Sequence, residues 1–115
     1  MWLFTPRYFL SVVQKPGHTK LCVRGRVLSD LKEFRTDMAR VVGDKDWKIE
    51  VGTGTDYHCR LYADHADVAA TQADFINRIN YNNFKGAVQR IQGSQRAHAY
   101  MSIWSAMMRV QRQEH

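Results

Sequence analysis

The sequence has little cysteine, little proline and no long apolar run, and two of its stretches carry no acid at all. Cys22 and Cys59 are the only cysteines. Each lies in an apolar, strand-like run with no second Cys or His at metal-ligand spacing, and His58 points to the opposite side of a strand from Cys59. Neither a zinc site nor a disulfide framework is indicated, and two buried free thiols in a reducing cytoplasm are expected. Two prolines and 44% hydrophobic residues argue against wholesale disorder. No run approaches the ~18 apolar residues of a membrane span. The opening Met1-Trp2-Leu3-Phe4-Thr5-Pro6-Arg7 is apolar but short, with neither a basic region nor a cleavage site, and does not read as a signal peptide.

Acid is missing from residues 7–26, which hold Arg7, Lys15, Lys20, Arg24 and Arg26. It is missing again from residues 84–113, which hold Lys85, Arg90, Arg96, Arg109 and Arg112. Ten of the eleven acids fall between Asp30 and Asp74, and the net charge is +6. Basic ends around an acidic middle suit an anionic partner, either nucleic acid or an acidic protein surface. A solvated surface with a charge bias produces the same pattern. The 115 residues fit one domain with a single core.

Aromatic and β-branched residues between Trp2 and Val13 read as a first strand over 2–14, with Pro6 marking an edge or bend. Lys15-Pro16-Gly17-His18 is a turn signal. A second strand alternates Leu21, Val23, Gly25 and Val27 on one side with Cys22, Arg24, Arg26 and Leu28 on the other. Ser29 or Asp30 can cap a helix to Val42, with Leu31, Phe34 and Met38 as its apolar stripe. Trp47, Ile49 and Val51 alternate in a third strand, and Tyr57, Cys59 and Leu61 in a fourth. Asp64 or Asp67 can cap a second helix to Asn80 carrying Val68, Phe75 and Ile79. A short helix over 84–91 and a last one from Gly93 or Ser94 complete the chain. Two strand–strand–helix units predict an α+β fold. Its four-stranded antiparallel sheet would be a ferredoxin-like relative spanning residues 1–80, with a helical extension over 81–115.

Met1-Trp2-Leu3-Phe4-Thr5, Ser11-Val12-Val13-Gln14-Lys15-Pro16-Gly17, Gly54-Thr55-Asp56-Tyr57, Tyr81-Asn82-Asn83-Phe84-Lys85, and Arg96-Ala97-His98 with Tyr100 and Trp104 resemble a group of small bacterial proteins of unknown function. The resemblance spans most of the chain and implies a shared fold, not a chemistry. The small size also fits a phage or mobile-element origin.

Four candidate sites follow. If the helices cover the side carrying Leu21, Val23, Cys59 and Leu61, the opposite side presents Arg24, Arg26, Lys48, His58, Arg60 and Tyr62, cations for phosphates and a ring for a base. The RNP aromatic pattern is absent, and in the plain alternative these residues face solvent or pack beneath the last helix. Gly52-Thr53-Gly54-Thr55-Asp56-Tyr57 could offer backbone N–H groups to an anion. It is neither a Walker loop nor a dinucleotide fingerprint, and an ordinary hairpin turn is the favoured reading. Titratable groups for catalysis are His18, His58, His65, His98, Asp56, Asp64 and Tyr57, yet no recognised catalytic motif joins them and no catalytic residue, metal ligand or cofactor is assigned. The last helix offers Tyr100, Met101, Trp104 and Met108, with Arg96, His98 and Met107, as a partner surface for a homodimer or as ordinary packing.

The reading these features favour is a cytoplasmic, non-enzymatic binding protein. It would engage nucleic acid or a nucleic-acid-processing complex through Arg24, Arg26, Arg60 and Tyr62 on the sheet, and Arg90 and Arg96 at the helical end. A phage or mobile-element inhibitor of a host defence nuclease, acting by protein contact, is the second reading. A small hydrolase or nuclease using His58 or Asp56 is the third.

Overall fold

A computed structural model describes residues 1–52 and 56–114. Among them are five strands, β1 (Trp2–Phe4), β2 (Phe9–Val13), β3 (Leu21–Gly25), β4 (Glu50–Val51) and β5 (Cys59–Ala63). There are four helices, α1 (Leu28–Val42), α2 (His65–Asn77), α3 (Phe84–Gln92) and α4 (Ser94–Glu114). The fold is α+β, and no described helix is long and apolar enough to cross a membrane. The chain divides into two compact units, residues 1–4 with 8–80, and residues 5–7 with the described part of 81–115.

In the first unit every strand pairing is antiparallel, in the order β1-β2-β3-β5-β4. Both β3 and β4 run against β5, so they are parallel to each other, and α1 is the crossover between them. Three consecutive strands thus precede the first helix. This corrects the expectation of four strands, and the ferredoxin-like order, which places a helix after its first strand, is not what the sheet shows. The extra strand arises at Pro6. Its fixed φ and missing N–H suit a turn better than a ladder, so the run 2–14 folds back as the β1–β2 hairpin.

One sheet face carries Leu10, Val12, Val23, Leu61 and Ala63 into the core, against Leu31, Phe34 and Met38 of α1 and Val68 of α2. Burying each such side chain contributes on the order of 1.5–3 kcal/mol. Tyr8 packs edge-on against Phe34 at 5.7 Å and Phe75 at 5.5 Å, joining sheet and helices at one end of the core. Arg40 reaches Asp74 at 2.8 Å and Lys45 reaches Asp67 at 3.0 Å, tying α1 and the segment after it to α2.

Several element ends differ from expectation. Val27 is the N-cap of α1, and neither Ser29 nor Asp30 caps it. The buried Asp30 carboxylate instead accepts from the Phe9 N–H at 3.0 Å, binding the first turn of α1 to the start of β2. Asp64 occupies the N-cap of α2 without a side-chain bond, and α2 stops at Asn77, leaving Ile79 exposed. Only Glu50 and Val51 of the third expected strand enter the ladder. Trp47 is nevertheless buried in the core, with Ile49 packed against it. Cys22 and Cys59 are both buried and free.

In the second unit Asn83 caps α3 through its side-chain oxygen, which accepts from Gly86 N at 3.2 Å. Gly93, at φ +95°, ends α3 and lets α4 begin one residue later. Ala87, Val88, Ala97 and Tyr100 are buried, and Phe84 stacks on Tyr100 with ring centroids 5.9 Å apart. The Gln92 side-chain amide donates to the Arg7 carbonyl.

Candidate functional site

The candidate site is the second face of the sheet, opposite α1 and α2. Strand alternation selects its residues, and antiparallel register aligns them. Trp2 pairs with Ser11, Ser11 with Arg24, Arg24 with Arg60, and Arg60 with Glu50. Five positions therefore form one continuous row across all five strands. A parallel row runs Val13–Cys22–Tyr62, and Phe4 pairs with Phe9.

The centre of the face is cationic. Arg24 and Arg60 stand directly opposite each other on neighbouring strands, a like-charge placement that destabilises a sheet unless something compensates it. Part of the compensation is visible. Arg24 donates to Ser11 Oγ at 2.6 Å, and its guanidinium carbon lies 4.4 Å from the centroid of the Tyr57 ring. Arg26, just beyond the end of β3, stands 4.5 Å from the same ring and donates to the Asp56 carbonyl at 3.0 Å. One phenol thus draws two guanidiniums together. Arg24 Nε is buried with no hydrogen-bond acceptor. The one carboxylate in the row, Glu50, sits at its outer end.

Aromatic groups flank this centre. On the β1 side Phe4 stacks on Phe9 at 4.5 Å, and Trp2 meets Phe9 edge-on at 5.8 Å while remaining 57% exposed. On the β5 side the His18 ring stacks on Tyr62 at 5.0 Å with an interplanar angle of 12°. Adjacent strands are ~4.8 Å apart, so β1 and β5, three spacings from each other, are separated by roughly 14 Å. A few nucleotides of an extended strand span that distance.

The structure brings together Arg24, Arg26, Arg60 and Tyr62 of the expected set, but not on a fully solvated surface. Arg60 is only 5% exposed, and Ser11 and Cys22 on the same face are buried. Arg26, Trp2 and His18 offer exposed atoms. Lys48 lies outside the strands, is exposed, and pairs with Asp46 at 3.0 Å. His58 is exposed just before β5, where its carbonyl accepts from Gly52 N at 2.8 Å to close the β4–β5 hairpin. Residues 53–55 of the suggested anion loop lie outside the described residues. Arg90 is exposed on α3, and Arg96 of α4 stands 6.0 Å from the Tyr100 ring centroid; both belong to the second unit and are not part of the sheet face.

Two of the histidines suggested for catalysis make side-chain contacts. His65 Nε2 is 3.0 Å from Gln14 Oε1, and His18 is committed to Tyr62. His98 lines a shallow groove on α4 with Met101, Ser102, Ser105 and Arg109. Burial pushes the Cys59 thiol up from its ordinary pKa, a backbone hydrogen bond with Gly25 opposes it in part, and the nearby Asp30 charge adds to the rise. A thiol held in its neutral form is a poor nucleophile.

Sequence reasoning missed the roles of Ser11, Tyr57 and the Trp2–Phe4–Phe9 group. Their parity on 2–4 and 9–13 is readable once the Pro6 turn is placed, whereas the Tyr57 contacts depend on the β3–β5 register, which pairs Gly25 with Cys59. No family model, curated protein or solved structure matches this chain.

Proposed function

We propose that the second sheet face binds single-stranded nucleic acid without catalysis. The observation that carries the reading is the facing pair of the half-buried Arg24 and the buried Arg60, with an aromatic group on either side of it. A phosphate bound at this centre gives the buried Arg24 Nε–H an acceptor, a charge-assisted hydrogen bond. Arg26 contacts the same backbone from the exposed end of β3. Trp2 on one side and the His18–Tyr62 pair on the other stack bases, a sequence-tolerant contact. Basic stretches at both chain ends raise the encounter rate with a polyanion.

The test is a salt titration of the full chain against labelled single-stranded and duplex DNA and RNA, read by fluorescence anisotropy. Single strands are expected to bind more tightly than duplexes, with affinity falling as salt rises by ~0.7 in log–log slope per phosphate contacted. Arg26→Ala is expected to reduce that slope by one contact, and Trp2→Ala to weaken binding by about 1–3 kcal/mol with the slope unchanged. Both side chains are exposed, so neither substitution disturbs the core. The absence of binding at low salt would overturn the reading and favour contact with an acidic protein surface, such as a host nuclease complex.

A further inference from the structure

Along the C-terminal half of α4 an apolar stripe lies in solvent. Burial on this helix of 21 residues is confined to Ala97 and Tyr100, near its start. Beyond them Ile103, Trp104, Met107 and Val110 are exposed, Trp104 and Met107 at 58% and 59%. A helical segment of three turns is marginal in water without tertiary packing, and contiguous exposed apolar groups mark a contact surface.

The spacing of the stripe identifies what covers it. Positions 96, 100, 103, 107, 110 and 114 are separated by four, three, four, three and four residues, and so share one face. That series reads the same in both directions, with its centre at Ser105. Two α4 helices laid antiparallel about this centre set Ile103 against Met107 of the second copy, and Val110 beside the second copy's Tyr100–Phe84 stack. They also set Arg96 against Glu114 at each end. Glu114 is the only acid in α4, and the antiparallel arrangement gives it a cation. A parallel pair in register would instead place Glu114 against Glu114 and Arg96 against Arg96.

We propose that the chain forms a two-fold homodimer through antiparallel α4 helices, with Ile103, Trp104, Met107 and Val110 at the centre and an Arg96–Glu114 ion pair at each end. Such an interface is isologous and closes after two subunits. Its residues all belong to the second unit.

Sedimentation equilibrium of the full chain over a concentration series tests this directly. The wild type is expected to show a monomer–dimer equilibrium. Met107→Glu, at an exposed position, is expected to be monomeric throughout, losing at most the helical circular dichroism signal of the unpartnered last turns of α4. Arg96→Glu and Glu114→Arg are each expected to raise the dimer dissociation constant up to about tenfold, as exposed ion pairs turn repulsive. The double variant Arg96→Glu/Glu114→Arg is expected to recover the wild-type value. A wild type that stays monomeric across the series, a Met107→Glu variant that still dimerises, or a double variant no better than the single ones would overturn the proposal.

Discussion

Replacing Asp30 by alanine separates the structural role of this carboxylate from the helix-capping role its sequence position suggests. Asp30 is 2% exposed and accepts from the Phe9 N–H at 3.0 Å, so it joins α1 to β2 across 21 residues of chain. A hydrogen bond to a charged acceptor contributes about 1.5–3 kcal/mol, and a buried N–H left without a partner costs about 1–3 kcal/mol. The two figures describe the same loss from opposite sides and are not summed, so Asp30→Ala is expected to lose about 2–3 kcal/mol. With a urea m-value of about 2 kcal/mol/M, the unfolding midpoint falls by about 1 M. Asp30→Asn keeps an acceptor oxygen and is expected to fall between the variant and the wild type. Ser29→Ala is the control, because Ser29 is exposed and does not cap α1, and its effect is expected to stay within about 0.5 kcal/mol. Amide hydrogen exchange gives the residue-specific readout: Phe9 N–H is protected in the wild type and exchanges faster in Asp30→Ala. Equal midpoints for Asp30→Ala and Ser29→Ala, or an unchanged Phe9 exchange rate, would refute the argument.

Two further outcomes follow from the titratable groups. The hydrogen bond from Arg40 holds the Asp74 carboxyl below its usual range, so its contribution to stability is present above the ordinary carboxylate pKa and is lost as pH falls through the lowered folded value. Acid unfolding followed by circular dichroism is therefore expected to show a weaker dependence in this range for Asp74→Asn than for the wild type. The Cys59 pKa is raised, which reverses the sign. The folded state keeps the proton that the unfolded state releases, so stability declines as pH rises past the ordinary thiol pKa. Both thiols are buried, and neither is expected to react with an aromatic disulfide reagent faster than the chain opens; reaction in native buffer at the rate of a denatured control would contradict their burial.

The parts of the fold legible in the sequence are those with a long period. The stripe Leu31, Phe34 and Met38 of α1 repeats over several turns, and the Gly93 break between α3 and α4 requires a residue that accepts φ +95°. The sheet was less legible, because an apolar strand and an apolar hairpin look alike until the turn is placed. Pro6 in an apolar run reads as an edge or bend at the start of one strand, yet it sits in the turn between two. Trp47 and Ile49 show why alternation alone overstates strand length. Both pack on the core, but only Glu50 and Val51 find a ladder partner on β5, since burial and backbone pairing are separate requirements.

The same distinction governs the site. Alternation assigned Arg24 and Arg60 to one face, and the helices do cover the other. Alternation cannot report register, and register is what turns two separate arginines into a facing pair with Ser11 and Trp2 on one side and Glu50 on the other. Nor can it report that Arg60 is buried, because alternation places a side chain on a face without saying what encloses it there. Reversing the charge of Arg60 would therefore perturb the sheet as well as any ligand contact. Arg26 and Trp2, whose side chains are exposed and outside the core cluster, are the substitutions that distinguish loss of binding from loss of fold.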